Sequence, residues 1–212
     1  MQKNPSLVII SGPSGCGKDT IIDIVRQRMS GIGLSVSCTT RAPRPKKPEG
    51  FEQHGVDYFF TTREAFEAGI RENGFLEYAD NKGELYGTPR DYVEKLGQEG
   101  CDIVLLNIEN LGAAQIKASE PNCVSIFILP PSGQEVRRRL IGRGTDPEAT
   151  IEKRYQKGKE QVQMAYVYDY VVMNDDLETA VQDVIHILSA VRLRTMKNKD
   201  MIDRVNATYQ EN

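Results

Sequence analysis

Short runs of consecutive apolar residues alternate along this chain with longer stretches in which apolar residues recur every three or four positions. Residues 7–10, 103–106 and 170–173 are continuous apolar runs and 124–129 is one interrupted only by Ser125, the pattern of strands covered on both faces of a parallel sheet. The first is followed by Ile21, Ile22, Val25 and Met29, and the last by Leu177, Val181, Val184, Leu188 and Val191, each set marking one face of a helix. Further helices are predicted over 89–99, with Pro89 in the first turn, and around 111–118. Residues 34–38 read as a second strand. This strand–helix repetition predicts an α/β fold with a parallel-sheet core and helices on both faces.

The pattern changes between 57 and 87. Residues 57–60, 75–79 and 84–87 alternate large apolar with polar side chains, as half-exposed antiparallel strands do, and a helix near 62–72 separates the first two. They predict a small inserted lobe. A basic helix over 136–144 ends on Gly142 and Gly144, and Pro147 opens the next helix, 148–164, so this pair has the glycine-bearing connection of a hinge. Residues 196–212 are polar and without clear caps, which predicts a frayed helix or mobile tail.

At 212 residues the chain suits one domain with a buried core and a smaller lobe. No run reaches membrane-spanning length, and the first apolar run is too short for a signal-peptide core. Cys16, Cys38, Cys101 and Cys123 are scattered without a Cys-x-x-Cys pair, so neither zinc nor a disulfide framework is indicated and a cytoplasmic protein is expected. A net charge of −3 argues against a nucleic-acid surface. No membrane partner is expected, and the sequence leaves monomer or homodimer open.

Chemistry concentrates first at Ser11-Gly-Pro-Ser-Gly-Cys-Gly-Lys18. The glycines at 12, 15 and 17 permit backbone angles closed to other residues, so successive N–H groups converge on one anion at the start of the following helix. The spacing from Gly12 to Gly17-Lys18 is that of a P-loop, whose lysine reaches the outer phosphates of a nucleoside triphosphate. Gly12, Pro13, Ser14, Gly15, Cys16, Gly17, Lys18, Asp19 and Thr20 are therefore the candidate segment for binding a nucleoside triphosphate, which the resemblance given below implies is ATP. Asp19 departs from the motif: a Ser or Thr hydroxyl usually follows the lysine and ligates Mg²⁺. Asp19 and Thr20 are the candidate metal oxygens. Arg41 and Arg44 stand on a proline-rich loop, where two arginines can grip one phosphate from two sides or simply be solvated.

Eight segments, in this order, resemble guanylate kinases: the P-loop above, Ser35-Val-Ser-Cys-Thr-Thr-Arg-Ala-Pro-Arg44, Gly55-Val-Asp-Tyr-Phe-Phe60, Phe75-Leu-Glu-Tyr78, Tyr86-Gly-Thr-Pro89, Ile126-Phe-Ile-Leu-Pro-Pro131, Gly142-Arg-Gly-Thr145 and Val172-Met-Asn-Asp-Asp-Leu177. The resemblance covers about residues 6–190. It implies a core of about 6–35, 89–130 and 165–190, a small mixed α+β GMP-binding lobe of about 36–88, a helical lid of about 135–160, and a tail from 191 to 212. The implied reaction is transfer of the γ-phosphoryl of ATP to GMP, and to dGMP, with Mg²⁺.

Carried over residue by residue, Arg41, Arg44, Tyr58 and Tyr86 resemble the grip on the GMP phosphate, and Ser37, Glu77 and Thr88 the guanine contacts. Glu77 has an independent rationale, since a carboxylate accepts from both N1–H and N2–H₂ of guanine whereas adenine presents an acceptor at N1. Arg139, Arg143 and Arg154 resemble the arginines that converge on the transferred phosphoryl, with Lys18 and Arg41 completing the catalytic set, and Asn174 resembles part of the adenine-side loop. Departures are Asn107 and Glu109 at a strand end where acidic residues are usual, Glu109 being kept as a GMP-binding candidate, and Leu111 in place of Gln. The loop 45–56 is also longer than usual. Ribose 1,5-bisphosphate kinases share the Gly-Lys-Asp feature, and non-catalytic guanylate-kinase-like modules share the fold; both are alternatives to the same residues.

Overall fold

The computed structural model describes residues 4–46, 50–142 and 147–209. Strand β1 (Ser6–Ser11) runs up the middle of a five-stranded sheet and delivers the glycine-rich loop to helix α1 (Lys18–Arg28), which buries Ile21, Ile22 and Val25. Strand β2 (Ile32–Leu34) is the edge of that sheet, and the chain then leaves for a second sheet. There β3 (Cys38–Thr39) and β4 (Phe59–Phe60) precede helix α2 (Arg63–Arg71), and the longer strands β5 (Phe75–Asn81) and β6 (Glu84–Pro89) complete the order β4-β3-β6-β5.

The main sheet resumes through helix α3 (Arg90–Gln98), β7 (Ile103–Asn107), α4 (Asn110–Ser119) and β8 (Val124–Leu129). A hairpin of α5 (Gly133–Gly142) and α6 (Glu148–Gln163) stands off it before β9 (Tyr170–Met173) and the long α7 (Leu177–Arg192) close the core. The order β2-β7-β1-β8-β9 is parallel throughout. Strand periodicity divides the core. Val8, Ile10, Leu105 and Ile126 pack with α1 and α7, and Ile9, Val104 and Leu106 pack with Val93 of α3 and Ile116 of α4.

The second sheet has its own small core around Phe66, Cys38 and Leu85, with Phe66 stacked on Phe75 at 4.3 Å between centroids. The helical hairpin has another, formed by Val136, Leu140, Ile151 and Tyr155.

Four expectations are corrected. Residues 34–38 are not one strand: Leu34 ends β2, whereas Cys38 pairs with Gly87 and Phe59 in the other sheet. Ser35 N–H still bonds the Leu105 carbonyl (2.9 Å), and the Ser37 carbonyl already accepts from Phe59 N–H (2.9 Å), so the crossing is a three-residue handover with no break in pairing to mark it. The lobe sheet is mixed, β3 and β4 being parallel. Strand β9, expected to be covered on both faces, is the edge of the sheet and buries only Val172. In the tail, where a frayed helix or mobile segment was expected, the described residues form a helix, α8 (Lys199–Thr208), all of it exposed. Among the described residues, no helix is long and apolar enough to cross a membrane.

Candidate active site

The phosphate loop adopts the conformations its glycines were expected to supply. Gly12, Gly15 and Gly17 have φ of 152°, 86° and 89°. Space as well as backbone angle demands them, since a Cβ on Gly12 would lie 2.5 Å from the Ile128 carbonyl oxygen and one on Gly17 would collide with Asn174 Nδ2. The N–H of Cys16 closes a turn on the Pro13 carbonyl at 3.1 Å. Burial holds the Cys16 thiol above its ordinary pKa, so it is a packing group rather than a nucleophile. Lys18 begins α1 with its Nζ 3.2 Å from Asp19 Oδ1. Asp19 and Thr20 are both exposed at the start of that helix.

Two side chains from later segments reach this loop. Asn174, almost fully buried after β9, donates from Nδ2 to the Cys16 carbonyl at 2.6 Å. Arg139 of α5 donates to the Asn174 carbonyl (Nη2, 3.1 Å) and to the Cys16 carbonyl (Nη1, 3.5 Å), and its Nε is held by Glu135 at 2.7 Å. Arg138 and Arg139 together hold the Glu135 carboxyl down to about 2, so the clasp is an ion pair at any working pH. Arg154 is half-buried on α6. Arg143 lies outside the described residues.

The second group lines one cavity of about 360 Å³, formed by Ser37, Arg44, Tyr58, Glu77, Tyr86, Asn107, Glu109 and neighbouring residues. Glu77 is 6% exposed, and its Oε1 accepts from Thr88 Oγ1 at 2.7 Å. Its other oxygen lies so close over Gly112 that any Cβ there would collide with it. Burial raises the Glu77 pKa against the opposing pull of Thr88. Glu109 is an exposed N-cap of α4 whose carboxylate accepts from Lys157 Nζ of α6 at 2.7 and 3.0 Å.

Arg41 stands behind this wall. It is 8% exposed, and it donates from Nε to the Tyr86 hydroxyl at 3.1 Å while its guanidinium carbon lies 5.2 Å from the Tyr58 ring centre. The two groups of residues meet at Asn107, which lines the cavity and donates from Nδ2 to Asp19 Oδ1 at 2.9 Å.

Three contributors were not singled out from the sequence: Gly112, Lys157 and Glu52, the last of which bonds Arg41. A glycine inside a helix costs roughly 1 kcal/mol against alanine, so Gly112 carried a readable signal that something needs the space. Lys157 and Glu52 carried none beyond charge.

The comparisons agree with one another. Residues 4–191 match the family described as guanylate kinase. The chain is 48% identical over 189 residues to a guanylate kinase of Thermus thermophilus, covering 89% of this chain and 83% of the relative. It is 42% identical over 200 residues to one from Clostridioides difficile, covering 94% and 95%. Among solved structures it resembles guanylate kinase from Anaplasma phagocytophilum with a TM-score of 0.69 and 29% identity, over 93% of this chain and 91% of that one.

Proposed function

The chain belongs to the guanylate kinase family and is an ATP-dependent GMP kinase, and from that premise we propose that GMP occupies the cavity over Glu77 while ATP lies on the glycine-rich loop. The buried Glu77–Thr88 pair carries this reading. A carboxylate fixed by one partner and seated on a bare glycine keeps an oxygen for the guanine edge, and a ribose 1,5-bisphosphate would make no use of it. The phosphate of GMP then meets Arg44, Tyr58 and Tyr86, with Arg41 behind them. dGMP fits the same contacts, none of which is assigned to the ribose 2′-hydroxyl.

We read the chain as core, lobe and lid, a division that the two separate sheets and the small apolar cluster of the α5–α6 hairpin support. Phosphoryl transfer asks for alignment and charge neutralisation more than covalent help. Lys18 and the backbone N–H groups of the loop neutralise the outer phosphates of ATP, and Arg139, Arg143 and Arg154 come from the lid segment to the transferred group. Four free cysteines fit a reducing compartment, and we read the cytoplasm as its place. Coupled ADP release with GMP, dGMP, AMP and ribose 1,5-bisphosphate as acceptors tests the reading. GMP and dGMP should turn over, with AMP and the sugar phosphate at background; faster turnover of the sugar phosphate would overturn it.

The donor set suits Mg²⁺, which favours hard oxygens and keeps several waters. Among the described residues no three His, Cys, Asp or Glu side chains gather for a metal, so the protein's share is small and falls to Asp19 and Thr20. When bound, the ion supplies charge neutralisation between the outer phosphates. Asp19 would otherwise place a negative charge beside the triphosphate. Lys18 and Asn107 hold its Oδ1 in place, and we infer that it serves the ion's shell directly or through water. Asp19→Ala should therefore shift the Mg²⁺ activation curve several-fold to higher concentration. A shift to lower concentration would mean that repulsion dominates at this position.

A further inference from the structure

The long loop after the phosphate arginines folds a carboxylate back onto one of them. Glu52 Oε2 accepts from Arg41 Nη1 at 2.8 Å and Oε1 from Nη2 at 3.1 Å, two near-parallel bonds between side chains only 8% and 16% exposed. Oε2 also accepts from the backbone N–H of Arg44 at 2.8 Å, and Glu52 N–H donates to the Arg44 carbonyl at 2.9 Å. One carboxylate thus holds the side chain of the first arginine and the backbone of the second.

The guanidinium is almost fully committed. Of its five N–H groups, Nε serves Tyr86, the two on Nη1 serve Glu52 and the Ala42 carbonyl (2.7 Å), and one on Nη2 serves Glu52. A single Nη2 hydrogen is left over, along with the positive charge. Because the Tyr86 hydroxyl accepts from Arg41, its own proton is turned away from Arg41. Burial disfavours the charged form of both partners, yet their mutual bonds outweigh it, holding the arginine above and the carboxyl below its ordinary pKa.

Two roles are physically distinct. A carboxylate across an arginine fork can stand in for a phosphate and be expelled when the phosphate arrives, or it can fix the fork so that the remaining donors face the phosphate in advance. The geometry favours the second. Glu52 is tied to the Arg44 backbone on both its side-chain and main-chain sides, and neither it nor Arg41 lines the cavity, whose wall is Arg44, Tyr58 and Tyr86. We propose that Glu52 is a positioning residue for the GMP phosphate grip, acting through Arg41 and the Arg44 backbone. It orders in advance side chains that would otherwise have to be ordered as GMP binds.

The inference rests on the assignment of this cavity to GMP, and calorimetry without ATP separates the two. GMP and guanosine are titrated into wild type, Glu52→Gln and Glu52→Asp, each first checked for cooperative thermal unfolding. Glu52→Gln should bind GMP at least about tenfold more weakly while guanosine affinity stays within about twofold, because only GMP carries the phosphate. Glu52→Asp, shorter but charged, should fall between wild type and Glu52→Gln, and it carries the test alone if the latter fails to fold. GMP binding as tight as wild type or tighter would overturn the proposal in favour of a displaced stand-in. Equal losses for GMP and guanosine would overturn it in favour of general loosening. If wild type binds guanosine but gains nothing from the phosphate, the grip itself is elsewhere and the proposal falls with it; if wild type binds neither, the cavity assignment falls too.

Discussion

Replacing Arg139 by alanine should lower kcat by on the order of 10³, with the KM for GMP within a few-fold of wild type. An arginine supplied to a transferring phosphoryl group is worth about 10³–10⁵ in turnover. The geometry around Arg139 supports that proposed role: Glu135 holds its Nε, and its two terminal nitrogens lie against the carbonyls of Cys16 and Asn174 at the lip of the glycine-rich loop. Those two bonds are to neutral carbonyls, one of them long, so exchange for phosphate oxygens is favourable. Arg139→Lys should recover only part of the loss, because a single ammonium cannot keep Glu135 and reach the phosphate together. Steady-state kinetics decide it. A variant with unchanged kcat and a raised KM for ATP would show that Arg139 binds the nucleotide equally in ground and transition states.

The parts of this molecule legible in the sequence are those governed by short-range rules. Apolar runs located the parallel strands β1, β7, β8 and β9; the first three are largely buried, as that pattern implies, whereas β9 is the sheet edge and buries only Val172. The glycine-rich loop was legible for the same reason: its backbone angles and its close approaches to Ile128 and Asn174 allow no other residue at 12 and 17. The handover between sheets at 35–37 was not, since both sheets accept the same alternation and only pairing partners distinguish them.

The candidate site could be proposed from the sequence as residue types but not as pairs. Arg41 and Glu77 were identifiable as chemistry, but what sets their behaviour is Glu52, eleven residues along a loop, and Gly112, on a helix in another part of the fold. Such contacts depend on how far the chain has travelled between them, which no local pattern encodes. Asn107 shows the same thing. Read alone it is a neutral residue at a strand end, whereas in the fold it joins the cavity to Asp19 of the phosphate loop.

Glu77→Gln should reduce kcat/KM for GMP by on the order of 10² or more while leaving the KM for ATP within about twofold. The carboxylate keeps one oxygen on Thr88 and turns the other toward the cavity above Gly112. Each hydrogen bond to a charged group is worth about 1.5–3 kcal/mol. The substitution weakens those from N1–H and N2–H₂ of guanine, and it adds an amide N–H₂ that either faces the guanine donors or turns on Thr88. Discrimination against AMP should shrink accordingly, since a site built on buried polar pairing rejects the wrong base through the partner it leaves unpaired. The raised pKa of Glu77 adds a signature that a packing role would lack. On the proposed reading GMP binds the ionised form, and burial favours the protonated one in the empty site, so KM for GMP should climb as pH falls through that raised value. Above it, KM should level off. The acid limb assigned to Glu77 should vanish in Glu77→Gln, whose amide does not titrate. A variant with wild-type kcat/KM for GMP and the same acid limb would remove Glu77 from guanine recognition and leave its burial unexplained.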